Sequence, residues 1–176
     1  MKDTHRSSIV LQNLTQTSPF EQYAKPYQKY IALKNNIDYH SYNTNYIDSI
    51  TTYDIIIGIN DYCIFRQKLF LDLIDINNLE NHYLVLPKNT SMPLHLIPFI
   101  AKNCIWLRDF LMKYQKSKIY NLEKFLTINN LLTSNLILFS DNLLDNNNSI
   151  IESLIDLDIE SIEYRFKHNN NILGLL

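Results

Sequence analysis

Apolar and polar positions along the first half of the chain predict short strands interrupted by one helix. The run YDIIIGI at 53–59 is apolar and β-branched through its centre, as a buried strand is. In 62–76 apolar residues recur every three or four positions, which predicts a helix. The stretch 73–89 alternates in places around two asparagines and predicts two strand-like pieces. Residues 27–42 fit a short helix or a strand equally well.

The second half of the chain shows the same mixture of patterns. Residues 135–144 (NLILFSDNLL) predict a buried strand and its polar exit. Residues 145–157 open with Asp, Asn and Ser and place Glu152 three positions after Ser149, which predicts a capped helix start. Residues 159–176 alternate apolar with charged side chains, as a half-buried strand does. The combined pattern predicts the α+β class.

The N-terminal segment differs from the rest of the chain. Residues 1–28 are rich in Ser, Thr and Gln, contain Pro19 and Pro26, and predict a loosely ordered arm with at most a short helix. The remaining residues, 29–176, then form a single α+β domain, because a chain of 176 residues has the size expected for one core.

Composition and charge exclude several classes of protein. Hydrophobic residues make up 46% and charged residues 19%, which indicates a globular chain. The net charge of −2 provides no basic surface for a phosphate backbone, so we expect no direct binding to nucleic acid. No apolar run reaches the roughly 18 residues of a membrane span, and the first residues lack the apolar core of a secretory signal. The sequence therefore predicts a cytoplasmic protein without a membrane span.

The sequence also lacks the motifs of cofactor and metal sites. Its two glycines, Gly58 and Gly174, cannot form a glycine-rich phosphate cradle. The five histidines show no ligand spacing, and Cys63 and Cys104 are too few for a metal site or a disulfide framework. We therefore expect no cofactor and no metal. The scarcity of glycine indicates drift in an AT-rich genome.

One apolar stretch contains an unexpected guanidinium. Arg108, one of four arginines, interrupts the segment IWLRDFL. The order of three segments along the chain resembles the bacterial chorismate pyruvate-lyase family of ubiquinone biosynthesis. These segments are YCI at 62–64, WLRD at 106–109 and residues 119–128. In that family a Ser-Met-Thr motif precedes Trp-Leu-Arg-Glu, which begins a strand. The resemblance covers about residues 55–128.

The resemblance implies an antiparallel sheet flanked by helices and a cofactor-free reaction that removes pyruvate from chorismate to give 4-hydroxybenzoate. It assigns Arg108 to the carboxylate of this small-molecule substrate, because a guanidinium binds a carboxylate through two parallel hydrogen bonds. Cys63 takes the position of the family's methionine, and Ile150 matches a leucine that lies over the ligand. The family's C-terminal carboxylate has no counterpart in this chain, so no catalytic acid is assigned.

Other interpretations of the same residues stay open. Arg108 is also explained as a strand-edge or helix-face residue that pairs with a neighbour of Asp109 or with Glu123. The segment 53–87 has the strand–helix–strand order of the psi subunit of the bacterial clamp loader, and in that case residues 1–45 would bind a partner protein. A structural subunit without chemistry is a third possibility. The lyase hypothesis predicts Arg108 inside a closed cavity, whereas the psi-like hypothesis predicts a parallel or mixed sheet with Arg108 outside any pocket.

Overall fold

The computed structural model describes residues 9–66, 78–141, 143–144 and 150–175. In chain order its elements are β1 (Ile9–Asn13), α1 (Glu21–Lys34), β2 (Asp38–His40), α2 (Tyr46–Ser49), β3 (Ile55–Ile59), β4 (Cys63–Phe65), α3 (Asn78–Asn81), β5 (Leu84–Pro87), a 3-10 turn (Leu94–Leu96), β6 (Phe99–Lys102), α4 (Ile105–Ser117), α5 (Leu122–Ile128), β7 (Ile137–Ser140), β8 (Ile151–Ser153) and α6 (Ile159–Leu173).

A six-stranded mixed sheet in the order β2-β1-β3-β6-β5-β7 organises the fold. Strand β1 pairs in parallel with both β2 and β3, and β5 pairs in parallel with β7. Among the described strands of this sheet, only β6 runs the other way, antiparallel to β3 and β5. The α+β class is confirmed, but the expected antiparallel arrangement is wrong. The physical reason is that α1 carries the chain back across the sheet between β1 and β2, which makes these strands parallel.

Apolar layers cover both faces of this sheet. Successive side chains of a strand point to opposite faces, so Leu11 and Ile57 lie in a first layer, while Val10 and Ile56 lie in a second. Helices α1 and α6 pack on the first layer together with the small antiparallel pair β4–β8. Helices α4 and α5 pack on the second.

The N-terminal residues belong to this core. Residues 9–28 form β1 and the first half of α1, and β1 lies between two partner strands. The expectation of a loose arm is therefore wrong for 9–28. The sequence suggested an arm because Gln12 and Asn13, at the end of β1, are polar residues, although both are buried. Residues 1–8 lie outside the described part of the chain.

The C-terminal segment is a helix rather than the expected half-buried strand. Ile162, Phe166 and Asn170 are buried at four-residue intervals, which is the spacing of one helix face. Asp158 caps the helix by accepting a hydrogen bond from the Ser161 N–H at 2.8 Å. Gly174 ends it in the left-handed region at φ 68°.

The remaining sequence patterns predicted some of the observed strands and helices and missed others. Strands β3 and β7 confirm the strands expected within 53–59 and 135–144. Of the two strand-like pieces expected within 73–89, β5 confirms one, while α3 replaces a strand at 78–81 and 73–77 lie outside the described residues. The helix expected over 62–76 is wrong where it is described, since β4 lies there, and 67–77 lie outside the described residues. The helix start expected at 145–157 is replaced by β8, with 145–149 again outside the described residues.

Candidate functional site

A cleft opens at the edge of the sheet where the parallel strands β1, β2 and β3 end. From β1 the chain crosses to β2 on one side, and later returns as β3 on the other side of β1. The loops that leave β1 and β3 therefore diverge, and such a switch point leaves a crevice outside the carboxyl ends of the strands. This topology places a ligand-sized cavity at the ends of β1 and β3.

The cavity has a volume of about 480 Å³. Five segments line it: the loop after β1, the region from β2 into α2, the residue that follows Asp61, the turn before β6, and the end of α4. Its hydrogen-bonding side chains are hydroxyls, amides and one imidazole, from Thr15, Gln16, Thr17, Tyr42, Tyr46, Tyr62, His95, Tyr114 and Gln115. Three leucines complete the lining, and among the described residues it contains no Arg, Lys, Asp or Glu.

A buried polar network holds the loops beside the cleft. The side-chain amide of Asn13 donates to Oε1 of Gln28 at 2.7 Å and to Oδ1 of Asp61 at 2.6 Å. The Thr15 N–H donates to Oδ1 of Asn13 at 2.7 Å, and the Asp61 N–H donates to Oγ1 of Thr15 at 3.0 Å. The network thus joins the ends of β1 and β3 to each other and to α1, and it fixes the geometry of the cleft.

Asp61 is the carboxylate of this network. Asp61 is 1% exposed, and it is not one of the residues that line the cavity. Burial raises the pKa of Asp61, and hydrogen bonds from Asn13 and Ser18 offset part of that rise. Its position and its partners make Asp61 a positioning residue for the cleft loops.

The turn Leu94–Leu96 is held at both ends. The Leu94 N–H donates to the Tyr114 hydroxyl at 3.0 Å, and the side-chain amide of Asn60 donates to the Leu96 carbonyl at 2.8 Å. His95 lies between these anchors on the cleft lining. Burial lowers the pKa of His95 from its ordinary value of 6.5, so the imidazole is mainly neutral at pH 7.

Several polar side chains that line the cleft are available to hydrogen-bond a ligand. Within the described part of the chain, five lining residues make no side-chain hydrogen bond to protein: Gln16, Thr17, Tyr42, Tyr62 and His95. They combine donors and acceptors without a fixed charge. The cleft therefore suits an uncharged ligand with many hydroxyl groups.

The described residues contain no group of three or more His, Cys, Asp or Glu side chains that could hold a metal ion. No helix formed by the described residues is long and apolar enough to cross a membrane.

The site residues proposed from the sequence lie outside the cleft lining. Cys63 and Ile150 are buried together in the first layer, around the pair β4–β8. Arg108 is half-buried on α4, a helix that packs on the second layer. The WLRD segment belongs to this helix rather than beginning a strand, because Leu107, Phe110 and Leu111 form its buried face. The structure brings Cys63 and Ile150 into one cluster and separates Arg108 from them.

Sequence reasoning missed the residues that form the cleft. Thr15, Gln16 and Thr17 fall in the segment interpreted as an arm, and they line the cavity because β1 precedes them. A usable signal was present after the apolar run 53–59, where Asn60 and Asp61 follow directly. Polar residues at the end of a buried strand are typical of sites at a sheet edge.

Comparison with known proteins gives a likeness of fold. No family model matches the chain, and no curated protein sequence does. The structure is similar to that of a glycosyltransferase involved in the glycosylation of the major capsid of PBCV-1, with a TM-score of 0.62 and 6% sequence identity. The match covers 90% of this chain and 98% of that protein. At this identity the similarity establishes the fold alone.

Proposed function

We propose that this chain is a glycosyltransferase-type protein that binds a sugar in the cleft at the ends of β1 and β3. The observation that carries the proposal is the lining: within the described residues it has uncommitted hydroxyl, amide and imidazole groups beside four tyrosines, without a charged carboxylate or cation. Sugar hydroxyls require both donors and acceptors, and the C–H faces of a sugar ring pack against aromatic side chains.

The similar glycosyltransferase supports the same class of ligand. Its fold matches that of this chain over 98% of its own length. The likeness adds the expectation that a bound sugar is transferred, while the chemistry of the lining supports the binding step by itself.

The lyase hypothesis stays a prediction from the sequence, together with its place in ubiquinone biosynthesis. Chorismate carries two carboxylates, which need cationic partners, and the cleft lining has neither Arg nor Lys in the part of the chain that is described. Incubation with chorismate, followed by chromatography for 4-hydroxybenzoate beside an Arg108→Ala control, tests it. The cytoplasmic location also stays a prediction.

The psi-like hypothesis likewise stays a prediction. A mixed sheet that contains β3 and β5, with Arg108 outside the cleft, is the geometry that this hypothesis expects. The same geometry accompanies the sugar-binding cleft, so it favours neither. A pull-down with residues 1–45 tests for the partner protein.

Ligand-observed NMR with a panel of free, uncharged sugars tests the proposal. We expect saturation transfer to at least one sugar, and Tyr62→Phe should weaken its affinity about 3- to 10-fold, because a typical hydrogen bond contributes ~0.5–1.5 kcal/mol. The matched control is Tyr164→Phe, since Tyr164 is 67% exposed on α6 and lies outside the cleft.

The outcomes separate binding from catalysis. If no sugar in the panel binds the folded protein, the proposal is wrong. If a sugar binds, its activated form is then offered with acceptor sugars, and absence of transfer would remove the enzymatic part while leaving the binding part.

A further inference from the structure

A second, shallower cavity of about 450 Å³ lies at the end of β2 beside the cleft. Six residues line it: Tyr39, His40, Ser41, Tyr42, Asn43 and Ser49. Tyr42 also lines the cleft, so the two cavities share one side chain. We call the second cavity the outer segment.

The outer segment has the same chemistry as the cleft. Its lining consists of hydroxyl, amide and imidazole groups and, in the described chain, contains no Arg, Lys, Asp or Glu. His40 is held in place by Tyr53, whose hydroxyl lies 3.2 Å from Nε2 and whose ring packs edge-on at 5.2 Å between centroids. A ligand that spans both cavities therefore meets uncharged hydrogen-bonding groups along its whole length.

Hydrogen bonds tie the outer segment to the network beside the cleft. The Tyr39 hydroxyl donates to Oε1 of Gln28 at 3.2 Å, the same atom that accepts from Asn13. The side-chain amide of Gln12 donates to the carbonyls of Asn13 at 2.8 Å and Ser41 at 3.3 Å. The two cavities are thus fixed relative to each other, which reduces the ordering cost for a ligand that occupies both.

The geometry points to an oligosaccharide of at least two sugar units as the ligand, with one unit in the cleft and the next in the outer segment. Tyr42 lies between the two units. This inference rests on the proposed function, and it adds the length of the sugar chain to the class of ligand.

Isothermal titration with glucose, maltose and maltotriose tests the inference, with the matching mannose and galactose series in parallel. We expect the wild-type protein to bind the two- or three-unit member of one series at least tenfold more tightly than its single sugar. The added contacts in the outer segment are the reason for this gain.

Two blocking variants locate the gain. Ser41→Trp and Asn43→Trp each place a bulky ring in the outer segment at an exposed position. Each should return the affinity for the longer sugar to that for the single sugar, while leaving the single-sugar affinity unchanged. Thr52→Trp is the matched control, because Thr52 is exposed and lines neither cavity. Circular dichroism confirms that each variant is folded.

The failures of the two proposals are distinguishable. Binding of a single sugar without any gain for longer ones would overturn this inference and leave the proposed function intact. An undiminished gain in both folded blocking variants would also overturn it. Absence of binding to every sugar would overturn both.

Discussion

The side-chain amide nitrogen of Asn13 lies 2.6 Å from Oδ1 of Asp61 and joins the ends of two neighbouring parallel strands. Both residues are buried, at 0% and 1% exposure. The pair stands beside the loops that line the cleft, so the stability of the fold and the shape of the site depend on the same hydrogen bonds.

Asn13→Ala should lower the free energy of unfolding by about 2–3 kcal/mol, because buried acceptors on Asp61 and Gln28 lose a donor. Urea denaturation measures the change. Asn135→Ala, at an exposed position in the turn before β7, is the control and should change stability by less than ~0.5 kcal/mol. Equal effects of the two substitutions would show that the network contributes nothing specific.

Asp61→Asn should stabilise the protein increasingly as the pH rises. The folded-state pKa of Asp61 is raised by burial, so its favourable contribution is complete below the unfolded-state pKa and is lost as the pH rises through the folded-state pKa. The substitution removes this loss and keeps an oxygen that accepts from Asn13. Urea midpoints of both proteins at pH 4.5, 6 and 7.5 measure the difference, and a difference that does not change with pH would contradict the prediction.

Gly58→Ala should destabilise the sheet by about 1–3 kcal/mol through overpacking. A Cβ at Gly58 would lie within 3.0 Å of three ring carbons of Phe99, its cross-strand partner on β6. In a double-mutant cycle with Phe99→Leu, the cost of Gly58→Ala should fall, because the smaller side chain leaves room for the methyl group. Strictly additive denaturation energies would argue against this contact.

Arg108→Ala should change the free energy of unfolding by no more than ~0.5 kcal/mol and leave sugar affinity unchanged, because Arg108 lies outside the cleft. Leu107→Ala is the matched comparison on the same helix. It should cost about 2–5 kcal/mol, since Leu107 is fully buried. A loss of sugar binding in folded Arg108→Ala would place Arg108 in the site and contradict the geometry.

The strands that the sequence predicts are those with continuous apolar character. β3 consists of isoleucines and Gly58, and strands buried on both faces have such apolar runs. β1 (IVLQN) was missed because Gln12 and Asn13 are polar yet fully buried. A local pattern assigns amides to the surface, and only the partner hydrogen bonds of the folded protein show why these two lie inside.

Helix α6 shows how two periodicities can coincide. Ile162, Tyr164 and Phe166 suggest a strand, but Tyr164 is 67% exposed while the other two are buried. A spacing of four residues belongs to a helix face, and the capping Asp158 was the local signal for it. The cleft could not be predicted in this way, because five segments far apart in the sequence form it.

The reversed direction of β6 has a consequence for engineering. Since β6 runs antiparallel to β3, the proline-bounded loop at 88–98 that leads into it arrives at the cleft rather than at the far edge of the sheet. Loops of other lengths grafted between β5 and β6 would change the size of the cleft and leave the strand register intact. This loop is therefore the natural place to reshape the cleft in this fold.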